Sequence, residues 1–404
     1  MKQIYMDHHA TTPVDPRVLD AMLPYFTEQF GNSSSNTHEY GHKARIAVEE
    51  ARSKVADLIG AASPDEIIFT SGATEADNLA IKGSARANRD KKKRNIVTIP
   101  IEHKAVLDPL KSLKKEGIET RFAKIDSYGV IDIDHFKSLI DENTILISIQ
   151  AANSEIGTLQ PINEIGAIAR EKDIHFHCDA VQALGRKDVN VKQDHIDMLA
   201  ISAHKMYGPK GIGALYIRKG IRLSPIMDGG GHERGMRSGT LNVPGIVGLG
   251  KAAEIAKTEI ATENPRLLEL RNRLAKGIKD RVDSAQLNGH PTQRLPNNLN
   301  YAFSYVEGES IILACRDFAL STGSACTSAS LQSSYVLKAL GVPDSLAHCS
   351  LRFGLGKNNT EEHIDILLDQ LEKGVKRLRD MSPLYDMAKE GVDIEKMQWS
   401  DHHE

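Results

Sequence analysis

The residue types with the clearest chemistry sit in two neighbouring stretches. The first ends on a lysine: Ile196-Asp197-Met198-Leu199-Ala200-Ile201-Ser202-Ala203-His204-Lys205, followed by Met206-Tyr207-Gly208-Pro209-Lys210-Gly211. The apolar run reads as a buried strand, the Gly and Pro as a tight loop, and Ala214-Leu215-Tyr216-Ile217 as the next strand. A lysine delivered by the end of a buried strand is placed where burial favours the neutral, nucleophilic amine, which can form a Schiff base with an aldehyde. A solvated loop lysine is the competing reading, and the neighbours have to decide between them.

The second stretch is Ile174-His175-Phe176-His177-Cys178-Asp179-Ala180-Val181-Gln182. Strand periodicity puts His175, His177 and Asp179 on one face. Such a trio could hold a metal ion, as in a metal-dependent hydrolase. Alternatively Asp179 is a buried carboxylate that pairs with a cationic ring nitrogen, the partner pyridoxal phosphate (PLP) needs to act as an electron sink. An Asp on one strand and a Lys after the next suits PLP chemistry, and a metal site gives the lysine no particular role.

Other windows have chemistry of their own. Ser71-Gly72-Ala73-Thr74-Glu75-Ala76 follows a strand and opens a helix, where free amides suit a phosphate; a plain helix cap by Ser71 or Thr74 is the rival. Glu102-His103-Lys104-Ala105 starts a helix directly after a strand, and Asn153 lies just past another. Gly229 to Thr240 is the most glycine-dense window, with His232, Glu233 and Arg234 set among the glycines. Ser321-Thr322-Gly323-Ser324-Ala325-Cys326-Thr327-Ser328 is a small-residue loop with one thiol and no apolar core around it. A thiol on such a loop suits a nucleophile. Cys178, Cys315 and Cys349 fit the role of small buried hydrophobes. Ser350-Leu351-Arg352-Phe353-Gly354 reads as a strand with one arginine, a group suited to clamping a carboxylate.

Taken in this order, the Asp179–Gln182, Ser202–Lys205, Gly208–Gly211 and Ser321–Ser328 segments, with Ala10-Thr11-Thr12-Pro13-Val14-Asp15-Pro16 near the start, resemble PLP-dependent cysteine desulfurases of the NifS/IscS type. The likeness runs from about Tyr5 to the C-terminus and is closest to the IscS branch. The resemblance implies PLP as cofactor. Its phosphate would be held by Ala73, Thr74, Ser202 and His204, and by Thr240 from the neighbouring subunit of a homodimer. His103 would stack on the ring and shuttle protons. Asn153 and Gln182 would lie at the phenolic oxygen, with Asn153 also beside the substrate. Asp179 would pair with the ring nitrogen, Lys205 would carry the Schiff base, and Arg352 would bind the carboxylate of L-cysteine. Cys326 would take the sulfur as a persulfide, and is also a candidate ligand for a transferred iron–sulfur cluster; no resident metal is implied. Sulfur acceptors, including an iron–sulfur scaffold protein, are the implied partners. A selenocysteine lyase or another class V PLP enzyme is the alternative within the same fold. Gly354 and Lys357 depart from the family, where Ser and Arg are common.

The elements that must position these groups alternate. Strands are expected at 65–69, 95–99, 144–150 and 174–179, with helices at 40–58, 74–85, 103–113 and 162–171 between or before them. One helix is expected from Pro16 to near Gly31. Such alternation implies crossover units and an α/β fold. With the resemblance, this becomes the PLP-dependent transferase fold type I, a mostly parallel sheet of seven-stranded type flanked by helices, plus a smaller α+β domain. The large domain is expected at 17–258. Residues 1–16 and 259–404 form the small one, with the cysteine loop at about 321–332 and a C-terminal extension at about 381–404. Helices are expected at 246–259 and 265–282.

At 404 residues the chain has room for two domains. A net charge of -3 gives no hint of a nucleic-acid partner, and no apolar run suggests a membrane span. The four cysteines show no paired spacing and read as free thiols of a reducing compartment, the cytoplasm by default.

Overall fold

The computed structural model describes residues 3–88, 94–322 and 333–390. Cys326 and the segment from Gly391 onward, Trp399 included, lie outside the described residues. The chain opens with β1 (Ile4–Tyr5), and seven strands then build the central sheet. These are β2 (Ile67–Thr70), β3 (Asn95–Thr98), β4 (Glu119–Phe122), β5 (Thr144–Ser148), β6 (His175–Asp179), β7 (Met198–Ser202) and β8 (Gly213–Ile217). Their order is β2-β8-β7-β6-β5-β3-β4, and β8 alone runs antiparallel to its neighbours. Strands β2, β3, β5, β7 and β8 are buried along their whole length, which is why they read as unbroken Ile, Leu and Val runs. On β6 alternation survives: Phe176 and Cys178 enter one hydrophobic cluster, and His177 and Asp179 point to the other side.

Strand β4 was not legible in the sequence. Its Glu-Thr-Arg-Phe sits half-exposed at the sheet edge and shows no apolar pattern. The helix expected from Pro16 to Gly31 is two short ones, Pro16–Met22 and Pro24–Thr27, because Pro24 has no N–H to continue the first.

The opposite outcome holds further on, where the two helices expected around residue 260 are one of 39 residues, Val243–Arg281, running straight through Pro265. An internal proline costs a helix about 3 kcal/mol. Burial of Leu267, Leu270, Leu274 and Ile278 beyond it, at roughly 1.5–3 kcal/mol each, outweighs that cost. The first half packs on the helix Glu39–Ile59, where Gly250 meets Ala51 so closely that a Cβ would lie 2.6 Å from its Cα. The second half packs on the helix Glu361–Asp380 and on a second cluster around Leu299, Phe303, Leu351 and Phe353. That cluster covers the antiparallel sheet of β9 (Ala285–Leu287), β10 (Asn298–Phe303) and β12 (Ser350–Gly354), in the order β12-β10-β9. Between them in the chain, β11 (Phe318–Ala319) pairs with β1, and Met6 is fully buried in the same cluster.

The glycine-dense window is pinned from within. Glu233 receives two hydrogen bonds of 2.8 Å from the Arg52 guanidinium and one of 2.7 Å from the backbone N–H of Phe69 in β2. Arg52 also donates to the Ile67 carbonyl. Both side chains are almost wholly buried, at 2% and 5% exposure. Removing one member of such a pair strands the other charge in the interior. Glu233→Ala is therefore expected to cost about 3 kcal/mol of stability and lower the thermal unfolding midpoint. An unchanged midpoint in a scanning calorimeter would contradict this account of the loop.

Candidate active site

Most of the chemistry-bearing residues emerge from the carboxyl ends of the parallel strands, where open α/β sheets bind their ligands. Ser71 to Thr74 follow β2, Glu102 and His103 follow β3, and Gln150 to Asn153 follow β5. Asp179 ends β6, and Ser202 to Lys205 lie at the end of β7. Ser71 to Thr74, His103, Gln150, Asp179, Ser202, His204 and Lys205 line one cavity of about 530 Å³, within the usual range for small-molecule sites.

One wall of the cavity is the start of the helix Ala73–Ala87, with Gly72 as its N-cap and no side chain capping it. The plain-cap reading of Ser71 and Thr74 is thus not what the structure contains. The first amides of this helix are left for an anion. Glu75, at the same turn, accepts the Ser71 N–H at 2.8 Å and is paired with Arg237 at 2.8 Å, so its charge is compensated. Gly213, on β8, lies beneath the turn: a Cβ there would stand 2.8 Å from the Gly72 backbone and 2.4 Å from the Ile201 carbonyl oxygen. Ser202 and His204 line the cavity from the other side. The His204 ring meets the Thr11 hydroxyl at 3.1 Å, and burial and then the Lys205 charge push its pKa down to about 4.

Lys205 and Asp179 both line the cavity. Lys205 Nζ donates to the backbone carbonyls of His9 and, at 2.7 Å, of Ala10. The N-terminal segment that supplies them is fastened to the same turn by Thr12, whose N–H and hydroxyl both donate to the His204 carbonyl. Asp179 Oδ1 accepts the Val181 N–H at 3.0 Å, and burial, the largest influence, raises its pKa to about 6. Gln182 also lines the cavity and exchanges hydrogen bonds with His9: Oε1 accepts from Nδ1 at 2.9 Å and Nε2 donates to the carbonyl at 3.1 Å.

Arg352, on β12, reaches the cavity from the second sheet. Its guanidinium donates to Asp7 at 2.7 Å and to the Ser154 carbonyl at 3.1 Å, and its buried Nε–H has no partner among the described residues. His103 is the N-cap of the helix Lys104–Leu113 and also lines the cavity.

Two expected residues stand apart. Asn153 is spent on its own turn: Nδ2 donates to the Ile101 carbonyl, and Oδ1 accepts the Glu155 and Ile156 N–H groups. It does not line the cavity, as its rival reading as a turn residue anticipates. Thr240 is exposed and is likewise absent from the lining. The His175, His177 and Asp179 trio forms no metal site: among the described residues no group of three or more His, Cys, Asp and Glu side chains has metal-holding geometry. Sequence reasoning passed over Asp77, Glu102, Glu155 and His9, all at or beside the cavity. Asp77 alone left a signal, lying one helical turn after Ala73 on the same face.

The comparisons with known proteins agree with this arrangement. The model of the family Aminotransferase class-V matches residues 4–367, and the chain belongs to that family. Within it the chain sides with cysteine desulfurases of the NifS/IscS type. It is 54% identical over 402 residues to "Cysteine desulfurase IscS" of Anaeromyxobacter dehalogenans (strain 2CP-C), covering 99% of both chains. It is 51% identical over 401 residues to the protein of the same name from Rickettsia felis, covering 99% of this chain and 97% of that one. Among solved structures, a "NIFS-LIKE PROTEIN" superposes with a TM-score of 0.86 at 39% identity, over 93% of this chain and 100% of that one. The structure titled "SspA in complex with cysteine" does so with a TM-score of 0.77 at 37% identity, over 87% and 98%.

The close approach of Gly213 to the turn makes a quantitative expectation. Gly213→Ala should fold but displace the turn at the helix start and hold pyridoxal phosphate about tenfold less tightly, as followed by equilibrium dialysis. Wild-type retention in that variant would contradict the placement of the phosphate.

Proposed function

We infer that the protein is a cysteine desulfurase, which takes the sulfur of L-cysteine as an enzyme persulfide, releases L-alanine, and supplies sulfur for iron–sulfur cluster assembly and other transfers. The observation that carries this reading is one cavity joining a lysine, a buried acid, an uncapped helix start and a buried arginine with an unpaired N–H. These residues fit PLP. Ala73, Thr74, Ser202 and His204 would hold its phosphate, Asp179 would face the ring nitrogen, Gln182 the phenolic oxygen, and His103 the ring. When bound, PLP supplies a sink for the electrons of a broken Cα–H bond.

The chain's own groups do the rest. Arg352 binds the substrate carboxylate, and Asp7 and the Ser154 carbonyl fix the plane of its guanidinium. Lys205, whose Nζ is held by the His9 and Ala10 carbonyls, would be the base that moves the Cα proton. Cys326, whose place in the mechanism rests on its sequence context, attacks the substrate sulfur: an S–S bond forms as the C–S bond breaks. L-cysteine and an enzyme thiol thus become L-alanine and an enzyme persulfide, with atoms in balance and no outside oxidant. The reading includes a homodimer in which Thr240 reaches the partner's phosphate, a division into domains at 17–258 and at 1–16 with 259–404, an iron–sulfur scaffold as acceptor, and a cytoplasmic place of work. No helix among the described residues is long and apolar enough to cross a membrane.

Cys326→Ser is expected to retain the cofactor and bind L-cysteine, yet form alanine at least about a hundredfold more slowly, since a hydroxyl is a poor nucleophile toward sulfur. Alanine production by amino-acid analysis and persulfide mapping by mass spectrometry check this together. Persulfide on Cys178, Cys315 or Cys349 of the wild type, with Cys326 unmodified, would move the nucleophile elsewhere. Lys205→Ala is expected to fold and to lose turnover altogether, and alanine formation at the wild-type rate would overturn the assignment of the base.

A further inference from the structure

Behind Asp179 lies a second buried acid that no step above uses. Asp77 belongs to the helix that starts the phosphate wall, lines the floor of the cavity, and is fully buried. Neither of its carboxyl oxygens has a hydrogen-bond partner among the described residues. His177 Nε2 lies 3.4 Å from Oδ1, longer than an ordinary hydrogen bond, and has no other partner among the described residues. The two side chains are 1% and 0% exposed. The far ring nitrogen of His177, Nδ1, meets the Ser148 hydroxyl at 2.9 Å.

The bond between Ser148 and His177 Nδ1 can run in either direction, and the two tautomers ask opposite things of Asp77. If Nδ1–H donates to Ser148, Nε2 is an acceptor, and the group facing it must be a donor. A carboxylic acid donates where a carboxylate cannot. Counting charge selects this tautomer. The titratable groups around Asp77 are His177 and Asp179 on β6 and Glu102 after β3, with His103 acting on Asp179. Three carboxyls thus crowd a buried pocket in which Asp77 faces the one ring nitrogen of His177, and like charges so placed do not all ionise. Burial alone pushes Asp77 up to about 8, burial pushes His177 down to about 4, and Glu102 is raised well above its usual value.

We propose that Asp77 is a positioning residue that works as a neutral acid: its O–H is given to His177 Nε2, Ser148 holds the far side of the ring, and Asp179 is left as the single negative charge beneath the cofactor's ring nitrogen. The inference rests on the PLP reading. Its function is to keep the charge opposite the ring at one, so that the proton on the ring nitrogen is neither lost to solvent nor shared with a second carboxylate.

The test uses the holoenzyme, and a wild-type protein with no visible cofactor band would defeat the PLP reading and not this proposal's geometry. Given the band, its pH titration is compared in the wild type, Asp77→Asn and Asp77→Ala. Asparagine is neutral and can donate to His177, so its midpoint should match the wild type within about half a unit, whereas removing an ionised carboxylate would move it by about one unit or more. Asp77→Ala removes the donor and should release cofactor about tenfold faster, with Asp77→Asn restoring retention. A shifted midpoint in the asparagine variant, or equal cofactor loss in both variants, overturns the proposal. Infrared spectra of wild-type holoenzyme with carbon-13-labelled aspartate carboxyls give a reading that needs no variant. A protonated aspartate signal at neutral pH is expected, and its absence is a refutation.

Discussion

The site depends on a buried carboxylate being placed where a cation will meet it. Asp179 ends β6 fully buried, where desolvation pushes its pKa upward. A buried carboxylate in that position costs stability, and in the proposed reading a positive ring nitrogen bound opposite it restores that stability. The rest of the architecture can be understood as supplying that meeting. Parallel strands bring their carboxyl ends to one edge, so the helix start after β2, the acid of β6 and the lysine after β7 converge without any long-range loop. The antiparallel β8 between β2 and β7 brings Gly213 under the Gly72 turn, where backbone meets backbone and fixes the position of the helix start.

The second constraint comes from the beginning of the chain. His9 and Ala10 offer their carbonyls to Lys205, Thr11 and Thr12 grip His204, and Asp7 holds Arg352. The lysine and the arginine are therefore fixed by one short segment, although they belong to different sheets. Met6 anchors that segment in the second hydrophobic cluster, and β1 pairs with β11, only a few residues before the cysteine-bearing stretch. A change in how the second sheet sits against the first would reach both charged groups through this strap.

The sequence exposed what depends on local pattern and hid what depends on packing. Apolar runs marked β5 and β7 because both faces of those strands are covered, alternation marked β6, and small-residue turns after strands marked the helix start at Ala73 and the lysine. Strand β4 was silent, since an edge strand with polar faces has no periodicity to show. The break at Pro24 and the continuity through Pro265 have the same local signature and opposite outcomes. Only the burial of Leu267 to Ile278 separates them. Asn153 was visible as a polar residue at a strand end, but whether its amide faces the cavity or its own turn is decided by the Ile101 carbonyl and the Glu155 N–H. His177 drew notice only as one of a metal-ligand trio and Asp77 only by its place one turn after Ala73; their pairing appears when a helix and a strand bring Nε2 and the Asp77 carboxyl face to face.

The central claim is that Lys205 is the residue that bonds to the cofactor. Reducing the purified protein with borohydride, digesting it and mapping the modified peptide by mass spectrometry tests that claim directly. The account predicts that the visible band vanishes and that a pyridoxyl-phosphate adduct is found on Lys205. An adduct on Lys210 or another lysine, with Lys205 recovered unmodified, would contradict it.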